Sequence, residues 1–186
     1  MADFFPALSD EHRAFIAKQP VFFVATAAQD ARINLSPKGM DTFRVFDANM
    51  VAYLDLGGSG NETQAHLAAD GRITIMFCAF DNPALILRLY GRGRFVVAGD
   101  DGYAPLAAHF PPLPGQRQVF VITVESVQTS CGWGVPRMTL EAERQTLAKY
   151  HAQQEPAARL ARIAGRTRSI DGLPVRVQTV IPAVKP

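Results

Sequence analysis

Two cysteines are all that this 186-residue chain contains. Neither belongs to a Cys-x-x-Cys pair and neither has a histidine at ligand spacing, so the usual zinc frameworks are excluded. The four histidines, His12, His66, His109 and His151, are scattered. No metal site is expected. Cys78 lies in the apolar run 73–80 and reads as a small core residue. No stretch is apolar over the roughly twenty residues that a bilayer requires. The opening Met1-Ala2-Asp3-Phe4-Phe5-Pro6 has no basic segment ahead of an apolar one, so no signal peptide is expected. The expectation is a cytoplasmic protein with no membrane partner.

Several chemical signatures are missing as well. There is no G-x-G-x-x-G and no G-x-x-x-x-G-K, which removes the motifs of a Rossmann fold and a P-loop. There is no G-x-S-x-G, and no Cys–His pair can be inferred. Repeats and low-complexity tracts are absent. Net charge is only +2, too small to argue for a polyanionic partner. The charge is uneven, however. Residues 131–186 hold nine Lys and Arg against four Asp and Glu. No aromatic-interleaved basic strand accompanies this excess, so nucleic acid is not expected as a partner. A solvated helical face and a lid over an anionic ligand both fit it.

What is present is a series of short strand-like runs. Residues 21–27, 32–36, 42–46, 50–56, 72–80, 85–97 and 118–129 are rich in β-branched and aromatic residues and bounded by turn chemistry. Gly91 and Gly93 inside the sixth run predict a bend or bulge. Ser9 followed by Asp10 and Glu11 opens a short helix within residues 1–19. Asn61 is placed to cap a helix over 62–69, and Gly71 to stop it. Residues 100–110 also read as helical. Residues 139–164, rich in Leu, Ala, Glu and Arg, read as one or two helices, and 168–186 show no period. With little βαβ alternation, the fold class is mainly β with flanking helices, an antiparallel barrel or sandwich rather than a doubly wound sheet. One domain over 1–186 is expected, with a core at 20–130 and a loop, helices and tail at 131–186.

Two motifs carry the chemistry. The first is Ile33-Asn34-Leu35-Ser36-Pro37-Lys38-Gly39. The second is Leu56-Gly57-Gly58-Ser59-Gly60-Asn61-Glu62-Thr63. A strand ending in lysine and a Gly-rich loop opening a helix can hold a phosphate from two sides. Lys38 supplies charge, and the loop supplies free N–H groups and the positive end of a helix dipole. Taken alone, Pro37-Lys38-Gly39 is also ordinary turn chemistry. Ser36 and Thr63 can add hydroxyls. Glu62 would repel a phosphate and is expected to point away or to accept from a hydroxyl of the ligand. Arg88 either faces solvent or meets an anion, because a buried unpaired arginine is costly. Trp133, between two glycines, is either a ring that stacks on a bound ligand or a plug over the barrel end.

The order of these pieces resembles the pyridoxamine 5′-phosphate oxidase superfamily, the FMN-binding split barrels, over roughly residues 20–135. Ser36-Pro37-Lys38-Gly39 is similar to the strand bearing that family's phosphate-binding lysine. Gly60-Asn61-Glu62-Thr63 stands where the oxidase proper has a Ser-Arg-Lys turn, with less positive charge. Leu87-Arg88-Leu89-Tyr90-Gly91-Arg92-Gly93 resembles the family's Arg-x-x-Gly strand. The resemblance implies an antiparallel Greek-key split β-barrel, a homodimer and FMN. It implies cofactor contacts from Ser36, Pro37, Lys38, Gly39, Asn61, Glu62, Thr63, Arg88 and Trp133. It points to an FMN-dependent oxidoreductase acting on a small molecule or taking electrons from a reduced nicotinamide. A flavin carrier or sensor, or a barrel holding haem or deazaflavin, are the alternatives. The oxidase's C-terminal Trp/Arg substrate pattern is not recognisable, so pyridoxamine phosphate is not implied as substrate.

Overall fold

The computed structural model describes residues 2–183. Eight strands form one sheet: β1 (Asp3–Phe5), β2 (Phe22–Thr26), β3 (Asn34–Lys38), β4 (Phe43–Val45), β5 (Met50–Leu56), β6 (Arg72–Cys78), β7 (Ile86–Val97) and β8 (Gln116–Ser130). Their order is β3-β2-β6-β7-β8-β5-β4, and every ladder is antiparallel. The short β1 is an addition to the seven expected runs. It pairs with β8 at Phe4↔Gln128, beyond the part of β8 that pairs with β5. The antiparallel, mainly β split barrel expected from the sequence is thus the fold observed.

The helices are α1 (Asp10–Ile16), α2 (Glu62–Ala69), α3 (Tyr103–Ala107), α4 (Thr146–Ala152) and α5 (Pro156–Ala164). At α1, the Ser9 hydroxyl accepts from the His12 N–H, and the His12 ring accepts from the Ser9 N–H. Histidine here takes the place usually filled by Glu or Gln in a capping box. Helix α3 is shorter than the expected 100–110. Residues 139–145 are not helical. They are exposed throughout, and a helix without a buried face is marginal in water. Pro156 then restarts the helix at its first turn, where its missing N–H does no harm.

Residues 51–55 of β5 and 118–122 of β8 are buried on both faces, which explains the unbroken apolar runs 50–54 and 119–122. Tyr53, Phe120 and Ile122 join Val24, Ile75, Phe77, Leu87 and Leu89 inside the barrel. Ala52, Leu54, Val119 and Val121 face the other way, beneath α3 and against Tyr103 and Phe110. Tyr53 and Phe120 stack with ring centroids 4.8 Å apart. Each fully buried side chain of this size contributes roughly 1.5–3 kcal/mol. Phe77, Leu87 and Leu89 are therefore core residues of a single chain. Among the described residues, no helix is long and apolar enough to cross a membrane. No group of three or more His, Cys, Asp or Glu among them is placed to hold a metal ion.

Two bulges shape the barrel. One lies opposite Tyr90 and Gly91 of β7, where the sequence predicts a bend or bulge: Tyr90 pairs with Ser126 and Gly91 with Val124, leaving Glu125 of β8 as the extra residue. A Cβ at Gly91 would overlap the carbonyl of Thr123, a backbone atom with no room to retreat. Gly91→Ala should therefore destabilise the fold by about 2 kcal/mol or more. Gly134→Ala, whose Cβ would meet nothing within 4 Å, should change stability by no more than about 0.5 kcal/mol. Urea unfolding of both variants beside the parent checks this. Equal effects would contradict the crowding at Gly91.

Candidate functional site

The second bulge builds the site. Across β5 and β8, Asp55 pairs with Gln118 and Leu56 pairs with Gln116, which leaves Arg117 as the extra residue. Regular alternation would send Arg117 to the face opposite Gln118. The bulge re-aims it, so that Arg117 and Gln118 both reach the same carboxylate. Arg117 donates from Nε at 2.8 Å and lies within 2.6 Å through Nη2, both to Asp55 Oδ2. Gln118 Nε2 donates to the same oxygen at 2.8 Å. From the edge strand β3, Lys38 Nζ approaches Asp55 Oδ1 at 3.4 Å.

Asp55 is 2% exposed. Burial works against its charge, but Arg117 and then Lys38 hold its carboxyl below the usual carboxylate value. Two cations on one carboxylate leave the cluster with one net positive charge. That charge lines a pocket of about 240 Å³. Its walls include Ser36 and Lys38 from β3, the loop Gly58-Ser59-Gly60, and Asn61, Glu62 and Thr63 at the start of α2.

The pleat explains which β3 residues arrive. Asn34, Ser36 and Lys38 share the half-buried face, while Leu35 and Pro37 point outward. Pro37 is tolerated because β3 is an edge strand, where a missing N–H breaks no ladder. Ser36 donates to Asn34 Oδ1 at 3.3 Å, and Asn34 Nδ2 donates to Thr63 Oγ1 at 3.1 Å. These bonds tie β3 to the helix start.

The structure therefore brings Ser36, Lys38, Asn61, Glu62 and Thr63 together and places four other candidates elsewhere. Pro37 lies on the opposite face of β3. Gly39 lies past the strand end, where a Cβ would sit 3.2 Å from the Pro20 carbonyl oxygen, and lines a different cleft. Arg88, half-buried on β7, donates to Ser130 Oγ at 3.3 Å. Trp133 is 85% exposed and does not plug the barrel. Asn61 does not cap α2 as expected. Its side-chain oxygen accepts from Gln118 Nε2 at 2.7 Å instead, because the buried amide has no water to turn to. The opening N–H groups of α2 are thus left without a side-chain acceptor. Glu62 lines the pocket, and its carboxylate accepts from the Ile170 N–H at 3.1 Å.

Asp55, Arg117 and Gln118 escape the sequence reading. Asp55 looks like a strand-end acid, and nothing local announces a bulge at Arg117. Gln118 also accepts from Gln64 Nε2 at 2.5 Å, and Gln64 exchanges two hydrogen bonds with the backbone of Arg176. A buried polar chain thus runs from the tail to the site carboxylate.

Known proteins share this architecture. The family model described as pyridoxamine 5′-phosphate oxidase matches residues 8–131. The pyridoxamine 5′-phosphate oxidase family protein ustO of Aspergillus flavus is 40% identical over 151 residues, covering 78% of this chain and 61% of that protein. The chain thus spans about three fifths of the length of that curated relative. HupZ of Group A Streptococcus superposes with a TM-score of 0.51 at 22% identity, over 64% of this chain and 91% of that one. A putative pyridoxamine 5′-phosphate oxidase from Lactobacillus delbrueckii gives a TM-score of 0.53 at 17% identity, over 66% and 94%. At such identities the solved structures speak for the fold alone.

Asp55→Asn keeps the shape of the cluster and removes its charge, leaving Arg117 and Lys38 facing each other. Breaking a buried pair in this way should lower stability at neutral pH by about 3 kcal/mol. The native carboxyl titrates below its unfolded value, so its contribution is present above pH ~4 and is lost as acid protonates it. Urea midpoints of parent and variant should start to converge as the pH falls below about 4 and go on converging through the lowered native value. A gap that stays constant down to pH 3 would show that the Asp55 charge does not hold the cluster.

Proposed function

This chain belongs to the pyridoxamine 5′-phosphate oxidase family, and from that premise we propose that it is an FMN-binding flavoprotein and an FMN-dependent oxidoreductase acting on a small molecule. One observation carries the reading: the pocket in which β3 and the start of α2 converge on Lys38 and Arg117. A phosphate suits these residues on three counts. The cluster keeps a net positive charge after Asp55 is counted. The Glu62 carboxylate is engaged by the Ile170 N–H, which weakens its opposition to an anion. The first N–H groups of α2 have no side-chain cap, and such a helix end is an anion site.

Lys38, Arg117, Ser36, Thr63 and the loop amides would hold the phosphate. When bound, FMN supplies the electron and hydride chemistry itself. The absence of a nucleophile–base pair in the sequence accords with that division of labour. The chain's own tasks are then to bind, orient and exclude water. At about 240 Å³ the pocket is smaller than the space a drug-sized ligand occupies. It would take the phosphate end of FMN and leave the ring outside. A second copy of the chain would supply a wall for the ring, which is why a homodimer belongs to the proposal. Leu35 and Trp133, 66% and 85% exposed, offer apolar surface for such a contact. The electron donor would be a reduced nicotinamide or the small-molecule substrate.

The absorbance spectrum of the purified protein should show flavin bands. Titration with FMN and riboflavin then isolates the phosphate. Lys38→Ala removes a charge-assisted contact worth about 1.5–3 kcal/mol, so FMN should bind roughly ten- to a hundredfold more weakly. Riboflavin, which has no phosphate, should bind parent and variant equally. Because Lys38 also meets buried Asp55, stability without ligand is measured in parallel. An unchanged FMN affinity, or an equal loss for both ligands, would contradict the phosphate pocket.

A further inference from the structure

The Gly-rich loop has a second side. There it faces a cleft of about 750 Å³ roofed by α4, α5 and the tail. Six arginines line this cleft, and two of them are neutralised: Arg117 by Asp55 and Arg176 by Asp100. Among the described residues, no carboxylate lies within ion-pair reach of Arg159, Arg162, Arg166 or Arg168. The one acid in the lining, Glu62, is engaged by the Ile170 N–H.

Arg159 is the most informative of the four. It is 4% exposed, and its hydrogen bonds run from Nη2 to the carbonyls of Gly115 and Gln116, at 2.8 and 3.4 Å. A guanidinium has five N–H donors, so most of this one's capacity is unmet. A buried charge without a counter-ion is costly. Burial, with Arg117 and Arg162 nearby, lowers the pKa of Arg159, which marks the same unmet need for an anion. Arg166 reaches the loop from the opposite side, its Nη1 3.3 Å from the Gly58 carbonyl. Leu147, Ile163 and the ring of Tyr150, with Arg162 over its face at 5.7 Å, supply an apolar wall.

From these residues we infer that the cleft binds a small ligand carrying a pyrophosphate or two neighbouring phosphates, of the nucleoside diphosphate class. A single phosphate would neutralise two guanidiniums at most, and four are unpaired. The apolar wall gives a base a surface on which to lie. A nucleic-acid backbone does not fit as well, because Arg159 sits below the surface a polymer could touch. The roof residues all lie beyond residue 131, where the match to the family model ends. The inference is independent of the flavin reading. If both hold, the cleft places a pyrophosphate-bearing ligand on the far side of the loop that holds the flavin phosphate.

Calorimetric titration of the full chain with pyrophosphate, ADP, orthophosphate and adenosine tests it. Pyrophosphate and ADP should bind with one-to-one stoichiometry, and orthophosphate and adenosine at least about tenfold more weakly. The double variant Arg162→Gln/Arg166→Gln changes two exposed side chains, and circular dichroism checks that it folds. It should bind pyrophosphate at least about tenfold more weakly while FMN affinity is unchanged. Lys38→Ala should do the reverse. Absence of pyrophosphate binding at millimolar concentration, or unchanged binding in the double variant, would overturn the inference. So would a parallel loss of FMN and pyrophosphate affinity in that variant, since the cleft would then belong to the flavin's own phosphate. Tighter binding of a DNA duplex than of pyrophosphate at physiological salt would point to a polymer instead. Failure of FMN to bind at all would leave the pyrophosphate result standing and would count against the flavin reading alone.

Discussion

The carboxylate of Asp55 is the point on which the rest of the site depends. It is buried at the end of β5, where an isolated charge would cost several kcal/mol. Arg117, Lys38 and Gln118 together satisfy it from two strands that are not neighbours in the sheet. Without Asp55, Lys38 and Arg117 would repel each other and spread into solvent. With it, two cations are held side by side and one positive charge remains for a ligand. The β-bulge that frees Arg117 from regular alternation is therefore part of the electrostatics as well as of the backbone.

The Gly-rich loop divides two regions lined by cationic side chains. On the barrel side it faces the Asp55 cluster, and on the helical side it faces the arginines of α5 and the tail. It is anchored between them. Gly57 N–H donates to the Gly115 carbonyl at 2.8 Å, and His151 Nε2 contacts the Gly57 carbonyl at 2.7 Å. Burial lowers the pKa of His151 despite that carbonyl, which suits a neutral ring donating this hydrogen bond. Gly115 has φ of +94° and its Cβ position is filled by the His151 ring, so only glycine fits. The loop's position is thus fixed from the core and from the C-terminal helices together, and the Gln64 link to Arg176 extends the same coupling to the tail.

Much of this was legible in the sequence because it rests on local patterns. The period of two in β3 pairs Ser36 with Lys38, and the same period should have sent Pro37 to the other face. The glycines at 91 and 93 announced a bend that the bulge at Tyr90/Gly91 fulfils. The N–H-rich start of α2 followed from Gly60-Asn61, although the Asn61 side chain turned to Gln118 rather than to the helix. What stayed hidden is non-local. Arg117 joins the site only through a register shift set by pairing with β5. Arg159 stands on α5, a helix the sequence announces, but its burial depends on how that helix seats against Gly115. Three-residue β1 is held by its partner strand β8, and its own composition gives little sign of it.

The most direct measurement of the central claim is the phosphorus-31 NMR signal of FMN mixed with the protein and followed across pH. A free phosphate monoester dianion takes up a proton near pH 6. Lys38 and Arg117 beside the phosphate should favour the dianion and push that titration down by about a unit or more. The account predicts a bound signal, distinct from free FMN, whose shift stays flat between about pH 7 and pH 5.5. A signal that titrates as free FMN does would contradict it, because the phosphate would then not be lying against the pair of cations that Asp55 holds together.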